Sequence, residues 1–160
     1  MQRKPLVDTR TEHVRINAER ALRRYNQLHQ GICMHTRLPD EHAILRIMAR
    51  PGDMNVAGDI FGGWLMSQCD IAGGIVASRR AGGRVVTVAV RDFQFIAPVL
   101  VSDIVSIYAK DVKTGTSSVT IVIEVFIERR HSGREHILKV ATAEIIYVHI
   151  DDKRQPTPIE

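Results

Sequence analysis

The sequence predicts an α+β domain in which a curved antiparallel sheet of about five strands wraps around one long central helix. Three observations carry this. From Val85 onward the chain alternates apolar and polar residues with a period of two. A single helical stretch, Gly62 to about Arg80, precedes those strands and contains no proline. Short glycine-containing links, Lys113-Thr114-Gly115-Thr116 and His131-Ser132-Gly133-Arg134, join the last three strands as hairpins require. One helix cannot cover such a sheet fully, so a homodimer that completes the burial is expected.

Residues 1–42 read as a basic N-terminal extension, helical over 11–30, where Thr11 can cap and Ala18, Ala21 and Leu22 favour the helix. Its first 30 residues hold seven basic and three acidic side chains, which accounts for the whole formal charge of +4. Glu12 and Glu19 are interspersed among the arginines, and Tyr25 is the one aromatic available for stacking. That pattern favours a solvated helix over an arm that binds nucleic acid. Pro39 and Asp40 punctuate a connector. The main domain is expected over 43–150, with 151–160 as a C-terminal tail.

The first strand, Ala43–Arg50, ends at Pro51-Gly52. In the helix, Trp64, Leu65, Ile71, Ala72, Ile75 and Val76 are expected in the core, with Phe61 either beside them or at the border of a ligand channel. In Val85–Phe95 the residues Val86, Val88 and Val90 fall on one side. Asp103–Val112 alternates again. Ser117–Arg130 puts Val119, Ile121, Ile123, Val125 and Ile127 on one face and Ser118, Thr120, Glu124 and Glu128 on the other, the mark of a strand with one face covered. His136–Ile150 is the last strand.

Composition narrows the function classes. The 160 residues, 44% hydrophobic and 25% charged, describe one globular domain and not a disordered chain. No apolar run approaches the roughly 20 residues of a membrane span. The opening Met1-Gln2-Arg3-Lys4-Pro5 lacks the apolar centre of a secretory signal. Cys33 and Cys69 form neither a disulfide framework nor a zinc set, and they suit a reducing cytosol, so a cytoplasmic location is expected. The seven histidines show no close ligand spacing, so no metal site is expected. No Gly-x-Ser-x-Gly and no His-Glu-x-x-His occurs, which argues against an α/β-hydrolase and a zinc protease.

The chemistry concentrates between the first strand and the helix. Gly62 and Gly63 open the helix, where propensity alone would not choose them. Either they let a ligand approach the unpaired N–H groups of the first turn, or they give tight helix–sheet packing. Asp70 lies two turns on and shares a face with Met66, Gly73, Gly74 and Ala77. That face is mostly small, so something approaches it closely. If Asp70 lines a cleft it can activate a water or attack a carbonyl; a solvated carboxylate is the plainer alternative. Cys69 adjoins it without a histidine nearby in the chain and reads as packing.

The run Asn55-Val56-Ala57-Gly58-Asp59-Ile60-Phe61-Gly62-Gly63-Trp64-Leu65-Met66-Ser67-Gln68-Cys69-Asp70 resembles the signature of hotdog-fold acyl-CoA thioesterases, specifically the YciA-like branch. Gly83-Arg84-Val85-Val86-Thr87-Val88-Ala89-Val90 and Phe95-Ile96-Ala97-Pro98-Val99 resemble the second-strand block of the same family. The resemblance covers roughly residues 43–150. It implies hydrolysis of acyl-CoA to CoA and a free carboxylic acid, with no cofactor, coenzyme A being part of the substrate. It implies that Asp70 is the catalytic carboxylate and Asn55 the polar residue holding the thioester or the attacking water. Gly62 and Gly63 become the helix N-terminus facing the carbonyl. Asp70 of one subunit would meet Asn55 and the glycines of another, and such dimers often assemble into a hexamer as a trimer of dimers. Thr87, Val88, Ser117, Ser118 and Arg84 are the expected contacts to coenzyme A. The block 114–118 departs from the family at Thr116, where a basic residue near the CoA phosphates is usual. Arg84, Lys113, Arg129, Arg130 and Arg134 are the cations left to supply that charge.

Two competing readings stand beside the thioesterase. One is a non-catalytic acyl-CoA sensor that uses the basic arm on DNA, although the arm lacks a second clear helix. The other is a hotdog dehydratase, which normally needs a histidine in or near the helix; none occurs between His42 and His131.

Overall fold

The computed structural model describes residues 37–131 and 133–160; the helix expected over 11–30 and most of the basic extension lie outside the described residues. After an irregular connector, β1 (Leu45–Met48) leads into a single 3-10 turn at Pro51–Asp53 and then α1 (Gly62–Ala81). Four strands follow, β2 (Val85–Phe95), β3 (Ile104–Thr114), β4 (Ser118–His131) and β5 (Arg134–His149). They form one five-stranded sheet in the order β1-β3-β4-β5-β2, and every neighbouring pair is antiparallel. β1 and β2 sit at opposite edges, so α1, which joins them in sequence, has to cross the sheet.

β4 is central, and its pattern explains the core. Val119, Ile121, Ile123, Val125 and Ile127 are all fully buried. They pack with Val105 and Ile107 of β3 and with Leu138, Ala143, Ile145 and Tyr147 of β5. Against this surface α1 lays Leu65, Cys69, Ala72 and Ala77, a stripe at helical spacing. Gly82, at φ 67°, ends the helix in the left-handed conformation that glycine adopts without strain, and its N–H bonds back to Ser78 O.

Three expectations need correction. Ile71 is 50% exposed, because the covered stripe of α1 is rotated toward Cys69 and Gly73. Phe61 is 58% exposed: it is the residue before the first helical turn, and the edge of its ring lies over Gly63. Val86, Val88 and Val90 do not share a side. A register shift between Thr87 and Ala89 leaves Val88 without a cross-strand partner, so Val86 stands opposite Val148 while Val90 stands opposite Ile145. A bulge adds one residue and reverses the faces beyond it.

Residues 151–160 are docked. The chain turns at Asp151–Gln155 and returns, with Thr157 N–H donating to His149 O and Ile159 N–H to Thr116 O at 2.9 and 2.8 Å. Ile159 then packs against the core.

Candidate active site

Asp70 lies mid-helix on the side of α1 that meets β5 and the edge strand β2. Two hydroxyls reach it. Thr87 of β2 donates to Asp70 Oδ1 at 2.6 Å. Tyr147 of β5 donates to the Asp70 main-chain O at 2.9 Å and lies 3.2 Å from Oδ1. Thr87 and Tyr147 are directly paired across the sheet, so one rung of the ladder delivers both groups. The close approach anticipated for the small-residue face is that of Tyr147. A Cβ on Gly73 would lie 3.0 Å from the ring Cζ and closer still to the hydroxyl oxygen. Burial and the Asp70 charge push the Tyr147 phenol upward, so it stays protonated and remains a donor.

Tyr147 was not singled out in the sequence. It lies 77 positions from Asp70 and reads as one more apolar residue of a strand. The only signal was indirect, in the glycines facing it.

Cys69 is fully buried beside Asp70, and burial plus the neighbouring carboxylate push its thiol up to about 12. A thiol held neutral is no nucleophile at ordinary pH, so packing accounts for it.

The segment before α1 is organised by Asn55. Its side-chain Oδ1 accepts from Ala57 N–H at 2.8 Å and Asp59 N–H at 3.2 Å, while its main-chain N–H donates to Asp59 O at 2.7 Å. The oxygen is therefore committed to the loop, and the side-chain NH2 is the part left to donate. Gly58, at φ 93°, closes the turn.

Phe61 precedes α1 and offers no side-chain cap. Trp64 and Leu65 N–H turn back to Phe61 O, and among the described residues no acceptor meets the N–H of Gly62 or Gly63. Both glycines also have a packing reason. A Cβ on Gly62 would stand 3.1 Å from Phe95 Cζ, and one on Gly63 would stand 2.5 Å from Phe61 Cε1. The two readings weighed for these glycines are thus compatible: rings crowd the first turn, and its donors stay free with the positive end of the helix dipole behind them.

Seven residues of helix separate Gly63 from Asp70, about 10 Å along the axis. A carbonyl oxygen at the glycine N–H groups and a water at Asp70 of the same helix cannot belong to one reacting centre. Within one chain, Asp70 is brought to Thr87 and Tyr147, while Asn55, Gly62 and Gly63 form a separate group.

The residues expected around coenzyme A gather at one end of the sheet. His149 N–H donates to Ser117 O and Ile150 N–H to Arg84 O, and Ser118 stands opposite Val148, itself opposite Val86. Val88, at the bulge, is 55% exposed. The Arg84 guanidinium is exposed and 3.5 Å from Asp152. Arg129 is not available for phosphate. It makes a bidentate pair with the buried Asp103 at 2.9 and 2.7 Å and donates to Pro98 O at 2.9 Å.

Among the described residues there is no group of three or more His, Cys, Asp or Glu that could hold a metal, and no helix is long and apolar enough to cross a membrane.

Residues 57–133 match the thioesterase superfamily. The chain is 47% identical over 124 residues to the acyl-CoA thioester hydrolase YciA of Salmonella typhimurium, spanning 76% of this chain and 92% of that protein. The YciA protein of Escherichia coli is 45% identical over 128 residues, 77% of this chain and 96% of that protein. Among solved structures, a hexameric thioesterase from Yersinia pestis is 47% identical with a TM-score of 0.70, covering 77% of this chain and 98% of that one. A hexameric hotdog fold thioesterase of Campylobacter jejuni is 37% identical with a TM-score of 0.74, covering 76% and 93%.

Proposed function

The chain belongs to the YciA-like acyl-CoA thioester hydrolases of the hotdog fold, and from that premise we propose that it hydrolyses acyl-CoA at a site shared between two protomers. The observation that carries the proposal is Asp70, held by two hydroxyls yet about 10 Å along its own helix from the free glycine N–H groups. The missing half of each site comes from a second copy.

Water is the nucleophile. Asp70 removes a proton from it as the oxygen adds to the thioester carbonyl carbon. The developing oxyanion is held by the Gly62 and Gly63 N–H groups of the other protomer, with the Asn55 side-chain NH2 as a further donor. Collapse breaks the C–S bond, and the proton held by Asp70 passes to the CoA thiolate. Attack by Asp70 itself, through an anhydride, is the second route the same geometry allows. The reaction needs no cofactor and no metal. Arg84, Ser117 and Ser118, at one end of the sheet, and Thr87 and Val88, next to it, line the CoA side.

Several features support a homodimer. Among the described residues nothing pairs with the outer side of the eleven-residue edge strand β2, and an edge this long invites pairing. Val88, Val90, Phe95, Phe61 and Met66 are exposed there and at the start of α1. The hexameric relatives support further assembly as a trimer of dimers. The two-cysteine composition supports a cytoplasmic location.

A complementation assay tests the shared site. Asp70→Asn and Asn55→Ala homomers should each release free thiol from acyl-CoA at a rate lower by orders of magnitude. When the two are unfolded together and reassembled, half of the dimers are mixed and each mixed dimer holds one intact site, so about a quarter of the parent activity returns. Absence of any recovery, with reassembly verified, refutes the shared site. Full activity in Asp70→Asn refutes the role of Asp70.

A further inference from the structure

The reading of Asp70 as the reacting carboxylate leaves its two oxygens undistinguished, and the side chains around it distinguish them. Resting on that reading, we propose that Tyr147 is a positioning residue that fixes Asp70 Oδ1 together with Thr87 and so reserves Oδ2 for the reaction. The Thr87 and Tyr147 hydroxyls both converge on Oδ1, at 2.6 and 3.2 Å. Among the described residues no donor meets Oδ2. Thr87 donates to Oδ1, and the single Tyr147 proton is shared between Oδ1 and the nearer Asp70 main-chain O. Oδ1 is thus pinned from two directions, and the other oxygen keeps its lone pairs for a water or a carbonyl.

Tyr147 is suited to this task. Its ring is 1% exposed and anchored in the sheet core, so its hydroxyl has little freedom. Its bond to the Asp70 main-chain O sets the height of the helix turn from which the carboxylate hangs. The helix makes room for it: Gly73, one turn on, is the position where any Cβ collides with the Tyr147 hydroxyl and ring. A glycine in mid-helix lowers helix stability, and here it admits the group that orients Asp70.

The plainer alternative is that the hydroxyl only ties α1 to β5 through the main-chain carbonyl. Thiol-release kinetics over a series of saturated acyl-CoA thioesters separate the two. If Tyr147 positions Asp70, Tyr147→Phe lowers kcat about tenfold, the effect of one hydrogen bond to a charged group, with KM within about twofold of the parent. A kcat within about twofold of the parent overturns the proposal, whatever happens to Tm. Should Tyr147→Phe fail to fold, Gly73→Ala decides, because it keeps the hydroxyl and pushes it off Asp70. It too should lower kcat with KM held, and unchanged kcat there overturns the proposal. Asp70→Asn is the control for the underlying reading, since an amide oxygen still accepts from both hydroxyls while the base is gone. An active Asp70→Asn removes the reading of Asp70 itself. An inactive Asp70→Asn beside a fully active Tyr147→Phe removes only the role of Tyr147.

Discussion

Two adjacent glycines in α1 should respond to alanine with opposite signs. Helix propensity alone predicts that Gly73→Ala and Gly74→Ala each stabilise the fold by about 1 kcal/mol. Gly74 has room: a Cβ there lies 3.8 Å from Tyr147 Cε1, ordinary contact. Gly73 has none. Its Cβ would be 3.0 Å from Cζ and 3.1 Å from Cε2 of Tyr147, and closer to the hydroxyl. The ring is held in the core, so relief requires helix and sheet to separate. Overpacking of this kind costs about 1–3 kcal/mol, and displacement of the hydroxyl loses a hydrogen bond of about 1 kcal/mol. Set against the propensity gain, Gly73→Ala is destabilised by about 1–3 kcal/mol, or roughly 3–9 °C in Tm, whereas Gly74→Ala gains about 2–4 °C. Scanning calorimetry at equal protomer concentration measures both, because the midpoint of an oligomer depends on concentration. In a Tyr147→Phe background the Gly73→Ala penalty should shrink, since the hydroxyl that collides is gone. A Gly73→Ala protein as stable as Gly74→Ala would refute the contact on which the argument stands.

Other outcomes follow from the same geometry. Asn55→Ala strips the acceptor from two loop N–H groups and removes the side-chain donor; kcat should fall by about 100-fold or more in the thiol-release assay, and a loss confined to KM would remove Asn55 from the reaction. Cys69→Ala should keep kcat within about twofold of the parent, because the thiol takes no part in the chemistry. It should also change the alkaline limb of stability. The native thiol is pushed up to about 12 from an ordinary value of 9.0, so its contribution is complete below pH 9 and drains as pH rises toward 12. In the variant, the slope of Tm against pH over that window should be shallower; an identical slope contradicts this. Asp103→Ala leaves the Arg129 guanidinium without its bidentate partner and should cost about 3–5 kcal/mol in urea unfolding, whereas a surface pair would cost under about 1 kcal/mol.

The parts of the fold that were legible in the sequence are those where one local rule acts alone. β4 alternates without interruption and is covered on one face, so Val119 through Ile127 announced their burial. β2 misled because a bulge at Val88 inserts a residue that no composition rule marks, and beyond it the faces exchange. The helix was legible in extent but not in rotation. Ile71 looked like core because it is apolar, yet the close-packed side is set by the small residues Cys69, Ala72 and Gly73, which allow helix and sheet to approach. In the site, Asp70 stood out as a carboxylate on a face of small residues. Tyr147 did not, and Thr87 is marked in the sequence only as a coenzyme A contact, because both reach Asp70 through sheet pairing that couples distant parts of the chain. Arg129 shows the converse. By sequence it is one cation among several near a strand end, and only the fold reveals that Asp103 already holds it.

Assembly and chemistry are linked by a simple length. A helix rises 1.5 Å per residue, so a carboxylate and an oxyanion site placed seven residues apart on one helix cannot serve one carbonyl carbon. They can serve two carbonyls, one at each end, if a second helix runs antiparallel beside the first and offers its own first turn to Asp70. Every dimer would then contain two equivalent sites, and if the two chains meet at the edge of β2, any change there would alter both. In that arrangement residues such as Val88 and Val90, exposed on β2, would become determinants of turnover through the alignment of two chains. Dilution below the dimer dissociation constant should abolish hydrolysis without unfolding either protomer's sheet, because each half of the site is already formed within its own chain.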